Sequence, residues 1–294
     1  MPQYKSSNAK LKMMIPAIGQ FDLHMHSNVS DGTLTPTELV QRMAKTDVKV
    51  MALTDHDTLG GLAEAKAEAD HQGIHFINGV ELTCDWRGRV IHLVGLGFDP
   101  SSEKFEEYMD HLMQLRYQRA EKIAERLEKR GVARGLFDLA KQYAGEGQIG
   151  RPHFAQALLE LGKVESMQEA FDKYLGQGCA GDVKAEWPAI EQSIALIKEA
   201  GGVAILAHPT KYKMTFTKLR ELMADMLSAG ADGLEVSYPG VTPGHQHELI
   251  KLAERAGCWV SAGSDFHSPD QRWTALGRYP HFDAQRVIVE QLCA

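Results

Sequence analysis

The chain has 294 residues, of which 44% are hydrophobic and 24% charged, as in one large soluble α/β domain or a domain with a sizeable insertion. Its formal net charge of −7 argues against a generally basic surface that coats nucleic acid, but leaves room for a local basic patch. No apolar run suits a signal peptide or a membrane helix, and the four widely spaced cysteines show no disulfide pattern. We therefore expect a cytoplasmic protein that makes no contact with a membrane.

The first 97 residues alternate between strands and helices after a tail over residues 1–18. We predict strands over 19–25, 48–53 and 74–82, and a hairpin formed by 83–86 and 90–97. Thr35-Pro36-Thr37-Glu38 predicts a helix start, because Thr35 can cap the helix and Glu38 completes a capping box. Gly73 is a typical C-terminal cap for the second helix.

The pattern changes at residue 98, where Val and Ile become sparse and helix-forming residues dominate. We predict helices near 103–130 and 152–161, and interpret residues 98–178 as a helical insertion. Arg116 and Arg119 lie one turn apart on the long helix. They face either a polyanion or solvent, and the charge pattern alone favours solvent.

The alternation returns after residue 179, with strands over 203–207, 233–236 and 259–262 and a last helix near 283–292. Alternating strands and helices favour a parallel sheet with right-handed crossovers, closed or nearly closed into a barrel. We therefore expect an α/β fold, with one barrel domain built from residues 19–97 and 179–294.

Polar residues gather at the carboxyl ends of the predicted strands. His24 and His26 alternate with apolar residues and so share one face of a strand. An isolated pair of this kind is typical of an edge strand with surface histidines, but this pair is not isolated. Seven histidines and three carboxylates follow the same rule: His24, His26, His56, His92, His153, His208, His267, Asp31, Glu81 and Asp265.

These ends open on one face of a parallel barrel, which is where active sites form. A packed core would not tolerate so many polar groups unless they were paired or bound to metal. Ten ligands are too many for one tetrahedral zinc, but suit two or three ions with bridging carboxylates. Asp55 and Asp57 flank His56, and either could orient an imidazole. We expect Gly32 to let the backbone turn after Asp31.

The motifs resemble those of the PHP (polymerase and histidinol phosphatase) superfamily. The matching segments are Asp22-Leu23-His24-Met25-His26-Ser27, Ser30-Asp31-Gly32, Thr54-Asp55-His56-Asp57, Gly79-Val80-Glu81, Arg151-Pro152-His153, Ala207-His208-Pro209 and Gly263-Ser264-Asp265-Phe266-His267. The resemblance implies a distorted (β/α)7 TIM-like barrel with a trinuclear metal site. The helical stretch and the Arg-Pro-His element resemble the stand-alone phosphoesterases. Members of that branch hydrolyse nucleoside 3′,5′-bisphosphates or the 5′ ends of short RNA.

The resemblance also implies how the ligands are shared between the ions. One ion would be held by His24, His26, Glu81 and Asp265. Glu81 would bridge to a second ion held by His92 and His153. Asp31, His56 and His267 would hold a third. Manganese is typical of the branch, and iron or zinc is compatible with the same imidazole and oxygen ligands.

The implied reaction is attack on phosphorus by a hydroxide that bridges the metals. Arg151 would clamp a phosphate with two hydrogen bonds, unless it forms a salt bridge at a helix end. His208 would bind phosphate or protonate the leaving group. Lys184, in a polar loop, is a candidate contact for a second phosphate of the substrate.

Two alternatives remain open at this point. A histidinol-phosphate phosphatase would use the same chemistry, but would need an acidic partner for the substrate amine. A non-catalytic metal-binding module would have lost several ligands, and none is missing from this sequence. The sequence does not indicate an oligomeric state.

Overall fold

A computed structural model describes residues 16–145 and 147–294. Most of the predicted tail therefore lies outside the described residues. Within them, seven strands form one sheet in the order β1 to β7. The strands are β1 Phe21–Asp22, β2 Val50–Leu53, β3 His75–Trp86, β4 Arg89–Leu96, β5 Val203–Leu206, β6 Gly233–Ser237 and β7 Trp259–Ala262.

Ten α-helices accompany these strands in the described ranges. They are α1 Pro36–Met43, α2 Leu62–Gln72, α3 Glu103–Lys129, α4 Leu136–Ala144, α5 Arg151–Glu160, α6 Met167–Ala170, α7 Ile190–Glu199, α8 Phe216–Ser228, α9 Pro243–Ala256 and α10 Ile288–Leu292. A π-helical turn covers Phe171–Leu175, and a 3-10 turn covers Pro209–Tyr212. The predicted capping box of Thr35 and Glu38 is present, and Gly73 ends α2 with φ +70°.

The sheet is parallel except at β4, which runs antiparallel to both β3 and β5. The hairpin around Arg87-Gly88 is therefore confirmed, and the antiparallel pairing of β4 with β5 is a feature that the predicted parallel sheet did not include. Residues 75–86 form one strand of 12 residues, β3, instead of the two separate strands predicted over 74–82 and 83–86.

The barrel is closed by the segments that follow β1 and β7. Leu23 N donates to Ala262 O at 3.2 Å, and His26 N donates to Phe266 O at 2.9 Å. These irregular contacts explain why β1 has only 2 residues, although the sequence predicts a strand over 19–25. The expected distorted (β/α)7 TIM-like barrel with helices inserted after β4 is confirmed.

The last helix is shorter than predicted, and α10 begins only at Ile288. The preceding residues extend the edge of the sheet, because Val260 N donates to Arg286 O at 2.9 Å and Val287 forms a bridge with Val260. Arg286 and Val287 therefore pair with β7 instead of forming part of the predicted helix.

Two hydrophobic cores lie in the described part of the chain. The larger fills the barrel and the space beneath its helices, and includes Phe105 and Leu112 from the first half of α3. The smaller begins at Ala120 on α3 and runs to Val183, with Phe154 and Leu158 among its members. None of the described helices is long and apolar enough to cross a membrane.

Candidate metal centre

The polar side chains meet at one mouth of the barrel. His24 and His26 follow β1, His56 follows β2, and the pair Asp265 and His267 follows β7. Glu81 and His92 lie on the two arms of the hairpin of β3 and β4, two register positions apart, since Glu81 pairs with Val94 and His92 pairs with Thr83. Strands of different lengths therefore place their candidate ligands at the same end of the barrel.

The Glu81 carboxylate, which is fully buried, is the centre of this cluster. Its Oε1 lies 2.9 Å from His92 Nδ1 and 2.8 Å from His208 Nε2. Its Oε2 lies within 3.1–3.3 Å of three more imidazole nitrogens, His24 Nε2, His26 Nε2 and His56 Nδ1. Five imidazoles therefore surround one carboxylate.

Two further carboxylates complete the cluster. Asp265 Oδ1 lies 3.6 Å from His24 Nε2 and 3.4 Å from His26 Nε2. Asp31 Oδ1 lies 3.3 Å from His267 Nε2. Four groups have candidate ligand atoms all within 4.8 Å of one another: His26, Asp31, His56 and His267; His24, Glu81 and His208; His24, His26 and Asp265; His56, Glu81 and His92.

Hydrogen bonds within the protein do not satisfy these atoms. Glu81 Oε2 and His56 Nδ1 are buried and lie 3.1 Å apart, yet neither has a hydrogen-bond partner among the described residues. His24 Nε2 and His26 Nε2 approach to 3.2 Å. Two ligands at about 2.1 Å from one cation stand about 3.0–3.4 Å apart in octahedral or tetrahedral geometry. The residues therefore fit a bound divalent metal.

The cluster also has the electrostatic character of a metal site. Burial disfavours the charge on His24, but the carboxylates of Glu235, Glu81 and Asp265 outweigh it and raise the pKa of the imidazole well above its ordinary value. Burial opposes the charge on Glu81 too, yet the neighbouring imidazoles, led by His56, lower the pKa of this carboxyl well below its usual range. The carboxylates therefore stay ionised and ready to bind a cation.

The structure places His153 differently from the other expected ligands. The sequence pairs it with His92, but His153 belongs to none of the four groups found among the described residues. Its Nδ1 accepts a hydrogen bond of 2.9 Å from Gly150 N at the start of α5. His208, expected near substrate, instead joins Glu81 and His24.

Glu235, in the middle of β6, was not among the expected site residues. Its Oε1 lies 2.8 Å from His24 Nδ1, and its Oε2 accepts a hydrogen bond of 2.6 Å from His208 N. It thereby directs Nε2 of His24 towards the cluster. The sequence feature that could have identified Glu235 is its position within an otherwise apolar predicted strand. A buried carboxylate needs a partner, so a glutamate there indicates a site residue.

Asp55 and Asp57 both have roles other than orienting an imidazole. Asp55 accepts hydrogen bonds from Ser27 N at 2.7 Å and from Ser30 Oγ at 2.7 Å, which fixes the turn before Asp31. Asp57 accepts from Arg116 Nε at 2.6 Å. Of Asp55, Asp57 and Glu235, the one that contacts an imidazole is Glu235.

Gly32 and Gly263 are needed because the backbone approaches the histidine pair closely. A Cβ on Gly32 would lie 2.3 Å from His26 O, and one on Gly263 would lie 2.4 Å from His24 Cβ. Gly32 does not have a positive φ, so the expectation that it serves a sharp turn is corrected to one of close packing.

Arg116, Arg119 and Arg151 form a cluster of cations that meets the metal cluster through Arg116, which contacts Asp57 next to His56. Arg151 Nη1 donates to Leu175 O at 3.3 Å, and its guanidinium lies 6.0 Å from the Phe171 ring. Arg119 Nε donates to Val183 O at 2.8 Å. Burial, together with the charges of Arg151 and Arg116, lowers the pKa of Arg119 to about 9. An anion bound here would relieve this repulsion.

The surroundings of three other cations, Lys184, Arg116 and Lys211, differ from those expected from the sequence. Lys184 is exposed and forms no ion pair within the part of the chain that the structure describes. Arg116 is directed neither to solvent nor to a polyanion, because its guanidinium contacts the buried Asp57. An unexpected cation, Lys211, contacts Asp265 Oδ2 directly.

Comparison with known proteins agrees with this geometry. The PHP domain model matches residues 22–177. The "5'-3' exoribonuclease" of Haemophilus influenzae is 43% identical over 88% of this chain and 93% of its own length. The "3',5'-nucleoside bisphosphate phosphatase" of Chromobacterium violaceum is 40% identical over 88% of this chain and 91% of its own. A crystal structure from Chromobacterium violaceum, described as an amidohydrolase with bound sulfate and no metal, has a TM-score of 0.88 and 38% identity. It covers 93% of this chain and 95% of its own.

The barrel and its metal-binding cluster define a metal-dependent hydrolase of phosphoric esters. The chain belongs to the PHP domain family.

Proposed function

We propose that the protein removes the 3′-phosphate of nucleoside 3′,5′-bisphosphates and also hydrolyses the 5′ ends of short RNA. The observation that carries this proposal is the arginine cluster next to the carboxylate and imidazole cluster. Arg119 and Arg151 are half-buried, and the charge of Asp182 offsets theirs only in part. A substrate with two phosphates would place one at the metal cluster and the other at these arginines. The names of the two relatives point to the same kinds of substrate.

The metal ligands proposed are those of the cluster. His24, His26, Glu81 and Asp265 would hold one ion, Glu81 and His92 a second with His153 as a candidate ligand, and Asp31, His56 and His267 a third. Mn²⁺ is the proposed metal, since this set combines imidazole and carboxylate without thiolate. When bound, the ions would neutralise phosphate charge and supply an activated water for attack on phosphorus.

The residues of the chain then bind and orient the substrate. Arg151 is held in place by Leu175 O and the Phe171 ring, so its guanidinium loses little freedom when it contacts a phosphate. His208 contacts Glu81 through Nε2 and leaves a buried Nδ1 without a partner among the described residues. That position suits contact with the reacting phosphate or with the leaving oxygen. Lys184 remains a candidate contact for the far end of the substrate.

The structure gives a reason to prefer this substrate over histidinol phosphate. Recognition of the amine would need a free carboxylate beside the phosphate site. The nearby carboxylates Asp57, Glu235 and Asp265 are each already engaged, with Arg116, His24 and Lys211 respectively. A non-catalytic module is also disfavoured, because eight of the nine expected ligands lie in the four groups, all but His153.

The test is phosphate release from adenosine 3′,5′-bisphosphate and from histidinol phosphate, each with Mn²⁺. We expect faster turnover of the bisphosphate, and faster turnover of histidinol phosphate would overturn the proposal. His56→Ala should abolish hydrolysis while the protein still folds. His247→Ala, an exposed histidine on α9, is the matched control and should keep full activity.

A further inference from the structure

Lys211 lies at the mouth of the barrel and contacts the metal cluster directly. Its Nζ forms an ion pair with Oδ2 of Asp265, whose other oxygen, Oδ1, lies 3.4 Å from His26 Nε2. In the described part of the chain, no other lysine or arginine forms an ion pair with any of the cluster carboxylates Asp31, Glu81 and Asp265. A cation at this position needs an explanation, because a divalent ion at Asp265 Oδ1 would repel it.

Both partners of this ion pair are held by fixed backbone. Lys211 belongs to the 3-10 turn after β5, where Lys211 N donates to His208 O at 3.0 Å. In the same turn, Thr210 N donates to Tyr238 Oη at 2.9 Å. His208, which begins the turn, has φ +27°, and Asp265 has φ +45°, conformations that are unfavourable for residues with a side chain. Backbone strain of this kind is retained mainly at functional sites, which suits a role for the pair in the reaction.

The ion pair of Lys211 differs from the structural pair of Arg116 and Asp57. The Arg116 side chain is 12% exposed, and that of Asp57 is fully buried. The Lys211 side chain is 45% exposed, so a ligand that enters the barrel mouth can reach it. A lysine ammonium has three N–H donors, and Lys211 Nζ has a single hydrogen-bond partner among the described residues. Two donors are therefore available to an anion.

We propose that Lys211 is a catalytic residue that donates hydrogen bonds to a non-bridging oxygen of the phosphate being hydrolysed. The inference rests on the proposed function, because it assumes that this phosphate binds where Asp265 and its neighbours hold metal. The phosphate then lies between cations, and its negative charge removes their mutual repulsion. The ammonium keeps its contact with Asp265 Oδ2 and stabilises the charge on the phosphate oxygens in the transition state.

The test compares Lys211→Met and Lys211→Arg with the wild type in saturating Mn²⁺. Met retains the length of the side chain without its charge. We expect kcat for adenosine 3′,5′-bisphosphate to fall at least about 100-fold in Lys211→Met, as when one donor to a developing charge is removed. Lys211→Arg should recover part of the loss. The matched control is Lys213→Met, at an exposed lysine of the same loop that forms no ion pair within the described ranges. It should react as the wild type does.

Two binding measurements provide readouts that do not depend on turnover. Inorganic phosphate should bind Mn²⁺-loaded Lys211→Met at least about tenfold more weakly than the wild type, because a hydrogen bond between charged groups is lost. In the absence of phosphate, Mn²⁺ should bind Lys211→Met at least as tightly as the wild type, because a competing cation has been removed. If Lys211 served only to hold Asp265 in place, Mn²⁺ affinity would fall instead.

Three results would contradict the proposal. The first is a wild-type kcat in Lys211→Met, and the second is an unchanged affinity for inorganic phosphate. The third is a loss of Mn²⁺ affinity with activity restored by excess Mn²⁺, which would make Lys211 a positioning residue for Asp265. A wild type that does not hydrolyse the bisphosphate would reject the proposed function, while weaker phosphate binding by Lys211→Met would still support the contact. If Lys211→Met does not fold, Lys211→Gln gives the same comparisons.

Discussion

Glu81 shows how one residue can organise a whole site. Its carboxylate is fully buried, a position that is unfavourable for a charge without compensation. Five imidazoles approach it, and three of them contact an oxygen that has no hydrogen-bond partner among the described residues. A shared cation accounts for both the burial and the missing hydrogen bonds.

Glu235→Gln tests the residue that orients this cluster. An amide would hold His24 Nδ1 more weakly than the carboxylate, and would turn an N–H group towards either His24 or His208. We expect affinity for Mn²⁺ to fall by about 10–100-fold, as is typical when a partner of a ligating histidine is lost. Metal titration followed by elemental analysis measures the change.

The matched control for this variant is Glu248→Gln on the exposed surface of α9, which should bind metal like the wild type. If Glu235→Gln also binds metal with wild-type affinity, Glu235 does not position His24.

Among individual residues, the sequence predicts those candidate metal ligands that lie at or just after the end of a strand. His24, His56, Asp265 and His267 could be predicted because each lies at or just after a strand end. Glu235 could not be assigned, since it lies inside β6 and its partner, His24, is 211 residues away. The distant pairing of Arg116 with Asp57 was equally invisible to local patterns.

The helix α3 links the two cores at the scale of whole elements. Its first half packs into the barrel core and its second half into the smaller core. Between them, Arg116 reaches Asp57 at 2.6 Å and Thr83 Oγ1 at 3.0 Å, with its side chain only 12% exposed. Asp57, the residue after His56, therefore forms a hydrogen-bonded ion pair with the helix α3.

Removal of the arginine should reveal the importance of this tie. Arg116→Met leaves the buried Asp57 carboxylate without its partner, and we expect the free energy of unfolding to fall by about 3–5 kcal/mol. Urea denaturation of the metal-loaded protein measures it. The double variant Asp57→Asn with Arg116→Met should recover part of the loss, because no charge is left unpaired.

Arg126→Met, further along α3, is the control, and its effect should stay within about 0.5 kcal/mol. A similarly small effect of Arg116→Met would mean that the ion pair contributes little to the fold.

The elements that the sequence predicts best are those with local signals. Capping residues give the start of α1 and the end of α2, and the bounds of β7 match the strand predicted over 259–262. The antiparallel pairing of β4 with β5 and the short β1 depend on distant backbone pairing. Local propensity carries no information about such contacts.

Two hydrophobic cores in one chain suggest two cooperative units at the scale of the whole molecule. We propose that residues 98–178 form the inserted unit, as the change in sequence pattern indicates. Hydrogen exchange under native conditions should then show α4 and α5 opening with a lower free energy than β3 and β4. A single common opening free energy for all four elements would argue against the division.

The central claim is that the cluster around Glu81 is a metal site, and anomalous diffraction from crystals grown with Mn²⁺ tests it most directly. We expect anomalous peaks at the barrel mouth, one of them about 2.0–2.3 Å from nitrogen and oxygen atoms of His24, His26, Glu81 and Asp265. Saturating Mn²⁺ with no peak among these side chains would contradict it.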